Sequence, residues 1–195
     1  MAAATSNNIY EFKIALTRIK PPIWRRIQVA ENISFWELHI AIQHAMGWSS
    51  CDYDYHLHEF NNGSINENNE KGVKISDYFS LSNNKSTYVY DFGDYWEHTV
   101  VLEKILPAVD GVQYPKCIAG KRACPPEDCG GIGGYEVLLE IIANPNHEEY
   151  KGRMEWLEGE FADPEHFDPS SVKFTTPLVQ SDSDDQLEDD QSDSD

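Results

Sequence analysis

Between Tyr88 and Tyr135 the chain gathers carboxylates, a histidine and three thiols. Asp91, Asp94, Glu97 and His98 lie close together, and Glu127 and Asp128 follow the diproline Pro125-Pro126. Carboxylates on a stiff backbone beside an imidazole can bind a divalent cation or exchange protons with a substrate. The plainer alternative is that Glu127 or Asp128 caps loop amides, with Gly130, Gly131, Gly133 and Gly134 only letting the loop turn sharply. Cys117, Cys124 and Cys129, with His98 as a fourth ligand, form a candidate zinc set, because thiolates and imidazole at short spacing can enclose a tetrahedral ion. Neither cysteine interval is a two-residue knuckle, and free cysteine is often buried with no metal at all, so inert thiols are the competing reading. His56 and His58 flank Leu57 and should share one strand face, either as metal ligands or as ordinary strand histidines.

Other templates have no foothold. The chain contains neither G-x-S-x-G nor H-E-x-x-H, the serine-hydrolase and zincin patterns. Asp91-Phe92-Gly93 matches the metal-binding triplet of protein kinases, but no glycine-rich nucleotide loop or His-Arg-Asp loop accompanies it. It reads as a hairpin turn in which Gly93 and Asp94 supply the unusual backbone angles. The run Gly130-Gly131-Ile132-Gly133-Gly134 lacks the Lys-Ser/Thr of a phosphate cradle.

These residues need elements to position them. Tyr10, Phe12, Ile14 and Leu16 alternate with polar residues, as do Ile23, Ile27 and Val29 beyond Pro21-Pro22, which predicts two strands. Ser34 and Glu37 form a capping box ahead of Leu38, Ala41, Ile42, Ala45 and Met46, and Gly47 supplies a stop, so a helix is expected over about 35–46. A strand is expected over Tyr53–Phe60, an exposed loop over Asn61–Gly72, a short helical turn ending at Asp77–Phe79, and a hairpin over Tyr88–Leu102. The Cys-rich segment after Pro115 is expected to be irregular, followed by helices over Tyr135–Ala143 and about 147–157. With strands in neighbouring pairs, the pattern indicates α+β architecture: a mostly antiparallel sheet with helices packed on one face.

The chain has 195 residues and a net charge of −19. Residues 174–195 carry eight acids and no Lys or Arg, while the remainder is still −11. A single domain over 9–174 is therefore expected, with a flexible start over 1–8 and a disordered acidic tail over 175–195 that cannot bury enough apolar surface to order itself. The acidic field disfavours non-specific nucleic-acid binding. Arg18, Lys20, Arg25 and Arg26 around Trp24 form the one basic patch, expected on an outer strand face. No membrane span and no secretory signal are readable, so an intracellular, cytoplasmic location is expected.

Several motifs then occur together: Pro22-Ile23-Trp24-Arg25-Arg26, Leu38-His39 through Met46-Gly47-Trp48, His56-Leu57-His58-Glu59-Phe60, and Tyr90 through His98. Ala123-Cys124-Pro125-Pro126-Glu127-Asp128-Cys129-Gly130-Gly131 and Gly134-Tyr135 follow. In this order they resemble the plasmid pRiA4b ORF-3-like family, also labelled a transposon passenger family, over roughly residues 8–173. The resemblance implies a small α+β protein and carries no established activity. The passenger label suggests recombination, but no resolvase-like helix-turn-helix arrangement is present.

The expected function is an intracellular binding module with a pocket between the hairpin and the Pro-Pro-Glu-Asp loop. Trp24, Trp48, Tyr90 and Trp96 would supply apolar walls, with His56, His58, Asp91, Asp94, His98, Glu127 and Asp128 as polar groups. Its partner would be a small molecule or a protein. The enzyme alternative is a metal-assisted hydrolase or nuclease using the same acids and histidines, with zinc or another divalent metal as cofactor. A third alternative is a mobile-element accessory protein touching nucleic acid through Arg25 and Arg26.

Overall fold

The computed structural model describes residues 8–48, 56–158, 161 and 163–175. The expectations for residues 1–7, for the start of the Tyr53–Phe60 strand and for the tail beyond Thr175 lie outside the described residues.

Alternation builds the sheet. β1 (Asn8–Leu16) buries Tyr10, Phe12, Ile14 and Leu16 on one face, as their spacing predicts. It pairs antiparallel with β2 (Trp24–Ala30) on one side and β6 (Trp96–Pro107) on the other. β3 (His58–Phe60), β4 (Ile65–Asn66), β5 (Lys85–Tyr90) and β7 (Lys116–Lys121) complete seven antiparallel strands in the order β4-β3-β5-β6-β1-β2-β7. The fold is a single-domain α+β structure in which β1 and β6 are central.

Helix α1 (Phe35–Met46) starts and ends as its sequence dictates. Glu37 N–H donates to Ser34 Oγ at 3.2 Å, the Ser34 N–H donates to the Glu37 carboxylate at 2.7 Å, and Gly47 closes the helix at φ 95°. Its buried stripe of Phe35, Leu38, Ala41, Ile42 and Ala45 joins Phe12, Ile14, Ile27, Phe60 and Tyr88 of the sheet in one core. α2 (Ile75–Tyr78) is a single short turn. α3 (Gly131–Ile142) and α4 (Tyr150–Trp156) pack against each other, and Tyr135 and Leu138 of α3 reach the same core. Among the described residues no helix is long and apolar enough to cross a membrane.

Four expectations are corrected. Residues 61–72 are not simply an exposed loop, since Ile65 and Glu70 are buried and β4 lies within it. Its asparagines close the turn on themselves, with Asn66 N–H donating to Asn69 Oδ1 and Asn69 Nδ2 to the Ser64 carbonyl. The segment after Pro115 is not wholly irregular: Lys116–Lys121 is the edge strand β7, paired with β2. α3 starts at Gly131 rather than Tyr135, because close packing requires glycine at Gly131 and Gly134 and so carries the helix through its glycine-rich first turn. A Cβ on Gly134 would run into the Cys129 carbonyl oxygen.

The expected basic patch also does not form as one surface. Arg25 shares the inward face of β2 with Ile27 and is 1% exposed. Its Nε donates to the Ala45 carbonyl at 2.8 Å, its Nη1 to the carbonyls of Trp24 and Lys121, and its guanidinium stacks on Phe167 at 3.6 Å. Burial lowers its pKa. Arg26, on the opposite face, is held by Glu103 at 2.7 Å.

Candidate functional site

The turn between β5 and β6 is shaped by Asp91 and Tyr95, at φ 55° and 57°, and not by Gly93 and Asp94 as the sequence suggested. Aspartate tolerates this left-handed region because its side chain can hydrogen-bond locally. Asp91 Oδ1 does so, accepting from Gly93 N–H at 2.8 Å. The Asp91 N–H donates to the Leu57 carbonyl at 3.0 Å, drawing the approach to β3 alongside the turn. His56 Nδ1 consequently lies 3.4 Å from Asp91 Oδ1.

The Pro125–Asp128 loop docks onto this turn. Trp48, beyond the end of α1, donates its indole N–H to the Pro125 carbonyl at 2.9 Å and stacks on Tyr90 at 4.9 Å between ring centroids. The Tyr90 hydroxyl donates to Glu127 Oε1 at 2.5 Å. Gly130 N–H donates to Asp94 Oδ2 at 3.2 Å. Gly131, at φ 65°, lies so near the turn that a Cβ there would sit 2.5 Å from the Asp94 carbonyl oxygen. Asp128, at φ 56°, thereby comes beside Asp91 and His56, and the three offer ligand atoms mutually within 4.8 Å.

On the other side of the same loop lies a cavity of about 650 Å³. Trp48, Glu127 and Asp128 form one wall, and Trp156, Phe161, Asp163, Phe167 and Asp168 form another. The second wall comes from α4 and the segment after it, outside the candidate residues of the sequence. The Phe161 and Phe167 rings and the two Asp-Pro steps (Asp163-Pro164 and Asp168-Pro169) were the available signal.

Trp96 is 1% exposed and belongs to the core. Trp24 stands apart from the cavity, under Lys13 and Arg26. His98 is buried with its Nδ1 3.3 Å from the Tyr88 carbonyl, and Trp48 stands edge-on to it at 5.5 Å. Burial pulls its pKa down to about 4, so the ring is neutral, and with Nδ1–H donating to Tyr88 the Nε2 atom is left without a partner. It supports the site from beneath and does not face the ligand side.

A match to known sequences spans residues 8–171: the family model for plasmid pRiA4b ORF-3-like proteins. The chain belongs to this family. A relative from Sinorhizobium fredii (strain NBRC 101917 / NGR234), described as uncharacterized protein y4hQ, is 32% identical over 157 residues, covering 76% of this chain and 80% of its own. The crystal structure of MM3350 from Methanosarcina mazei Go1, titled a protein of unknown function, superposes with a TM-score of 0.78. It is 49% identical and covers 87% of this chain and all of its own. These likenesses carry the family and the fold, and no activity.

Within this family member the remaining candidates separate into two further groups. His58 and His56 do not act as a pair: His58 Nε2 lies 2.7 Å from Glu70 Oε2, both buried, while His56 turns to Asp91. The His58 ring stacks on His39 at 3.5 Å, and His39 and Gln43 both contact the Tyr88 hydroxyl. Glu70, His39, Gln43 and Tyr88, outside the candidate residues of the sequence, form a buried polar group with His58. Trp36, His39 and Gln43 at three- and four-residue spacing on α1 were the sequence signal.

Cys117, Cys124 and Cys129 are separate thiols, and Cys51 lies outside the described residues. Cys117 Sγ donates to the Ala119 carbonyl and Cys129 Sγ to the Gly131 carbonyl, at 3.7 and 4.0 Å. Burial raises all three pKa values, that of Cys129 to about 12. Among the described residues, the convergent metal-type cluster is His56, Asp91 and Asp128, without a cysteine.

Proposed function

We propose that this protein is a binding module whose cavity takes a small molecule or peptide segment bearing a positively charged amine. One observation carries the reading: the cavity of about 650 Å³ combines aromatic walls with an excess of carboxylates. Pockets of this size with a few fixed polar groups are the usual form of a ligand site. Trp156 is 43% exposed, and an exposed indole is suited to cover the face of a cation. Asp128, Asp163 and Asp168 form no ion pair with Lys or Arg among the described residues. Of the basic groups in the lining, Arg25 is committed to carbonyls and Phe167 and His44 to Thr175, with burial lowering the His44 pKa towards the neutral ring; Lys173 and His166 stand against four carboxylates, those of Glu127, Asp128, Asp163 and Asp168.

A thermal-shift panel of aliphatic and aryl amines beside carboxylates of matched size tests this. An amine present at about a hundred times its Kd should stabilise by about 2.7 kcal/mol. In a domain of this size that is a rise of about 5–10 °C. The rise should disappear in the Asp128→Asn/Asp163→Asn variant. Equal shifts from the carboxylates, or no shift from any amine, would overturn the reading.

A further inference from the structure

The geometry points to a divalent transition-metal site of the Zn²⁺ or Mn²⁺ type, formed by His56 Nδ1 with carboxylate oxygens of Asp91 and Asp128. The inference rests on the proposed binding site in one respect only, that Asp128 is a wall shared by the cavity and the metal site. The three ligands come from three separate segments: the approach to β3, the β5–β6 turn and the Pro125–Asp128 loop. Their ligand atoms already lie within 4.8 Å of one another. The His56–Asp91 separation of 3.4 Å matches the roughly 3.4 Å edge of a tetrahedron with metal–ligand bonds of about 2.1 Å. Asp128 is exposed and has to close by at most about 1.4 Å, from the 4.8 Å limit to the 3.4 Å edge, within the reach of a side-chain rotation.

The surroundings orient the two carboxylates. Asp91 Oδ1 is fixed by Gly93 N–H, so the carboxylate is oriented before any ion arrives. This is the outer hydrogen bond that ligating carboxylates commonly carry. Asp94 is held by Gly130 N–H, which fastens the turn to the loop. Two carboxylates approach each other here, and neither Asp91 nor Asp128 forms a salt bridge with Lys or Arg among the described residues. A bound cation would remove that repulsion. One nitrogen and two oxygens favour zinc or manganese over calcium, which takes six to eight oxygens, and leave coordination positions open to water or a ligand group. The amine cavity begins on the other side of Asp128, so a metal-bound water would stand at its rim.

Isothermal titration of the full-length, metal-stripped protein with ZnCl₂, and separately with MnCl₂, tests the inference. One equivalent of metal should bind, with Ca²⁺ and Mg²⁺ at least about tenfold weaker. Asp91→Asn and Asp128→Asn should each weaken binding about tenfold or more. Asparagine tolerates both left-handed positions and can still accept from Gly93 N–H, so melting temperature and circular dichroism should remain those of the wild type. His56→Gln should weaken Zn²⁺ more than Mn²⁺. Unchanged metal affinity in Asp91→Asn/Asp128→Asn, or binding without a defined stoichiometry, would overturn the site and assign the ions to other acids. Trp156→Ala separates the two readings: it should remove amine binding and leave metal affinity unchanged. Loss of amine response with intact metal binding in the wild type would end the cavity reading alone.

Discussion

His98 shows how a side chain chosen for its chemistry can prove structural. Its spacing beside Asp91, Asp94 and Glu97 suggested a ligand, but the period of β6 places it inward, against Tyr88 and Trp48. Its pKa, about 4 in the folded protein, lies below the roughly 6.5 of an unfolded chain. Between these values the unfolded state binds more protons, so stability is complete above about pH 6.5 and is lost as pH falls toward 4. The loss from this group between pH 7 and pH 5 is expected to be about 2 kcal/mol. Urea unfolding of wild type and His98→Phe at both pH values checks this: the variant should lack that part of the decline. An identical decline in both proteins would mean that His98 does not titrate as described. His56 and His58 make the complementary point. Their spacing was legible, but their separate partners, Asp91 and Glu70, lie 35 and 12 residues away in the chain. No local pattern encodes that distance.

The seam between the β5–β6 turn and the start of α3 determines whether there is a site at all. Gly131 is expected to be intolerant, because alanine there would meet the Asp94 carbonyl and take a left-handed φ. Left-handed backbone alone costs about 1–2 kcal/mol. Gly133 lies in the same helix with no atom near its Cβ position. Gly133→Ala should therefore stabilise by roughly 0.5–1 kcal/mol through helix propensity. Chemical denaturation of the two variants reads the difference; equal effects would show that the seam is not closely packed. The elements themselves were largely legible. The capping box at Ser34, the stop at Gly47 and the alternation of β1 and β2 each express a short-range rule, and each appears in the fold. β7 and the first turn of α3 were not, because tertiary packing there outweighs the poor propensity of glycine. Gly120 leaves the space into which Phe167 packs, and Gly131 admits the turn.

At the scale of the whole molecule, charge and shape act together. The net charge of −19 predicted no more than repulsion of phosphate backbones, whereas the fold localises part of that charge on a cavity with aromatic walls. The hairpin and the diproline loop meet through Asp91, Tyr90, Glu127 and Asp128, but the cavity is lined by no residue of the hairpin, so it lies between the loop and the segments after α3 and not between hairpin and loop as the sequence suggested. The opposite wall, with Trp156, Phe161, Asp163, Phe167 and Asp168, depends on how α4 and the segment after it fold back, and the two Asp-Pro steps mark where that segment turns but not what it meets. The acidic residues 176–195 are the natural competitor for any cationic ligand, so location is more informative than affinity. The most direct measurement is therefore ¹H–¹⁵N chemical-shift mapping of the full chain during titration with the amine that stabilises it most. Saturable shifts are expected at the indole N–H groups of Trp48 and Trp156 and at the amides of Glu127 and Asp128. Shifts confined to the acidic residues beyond Thr175, with those four signals unmoved, would contradict the account.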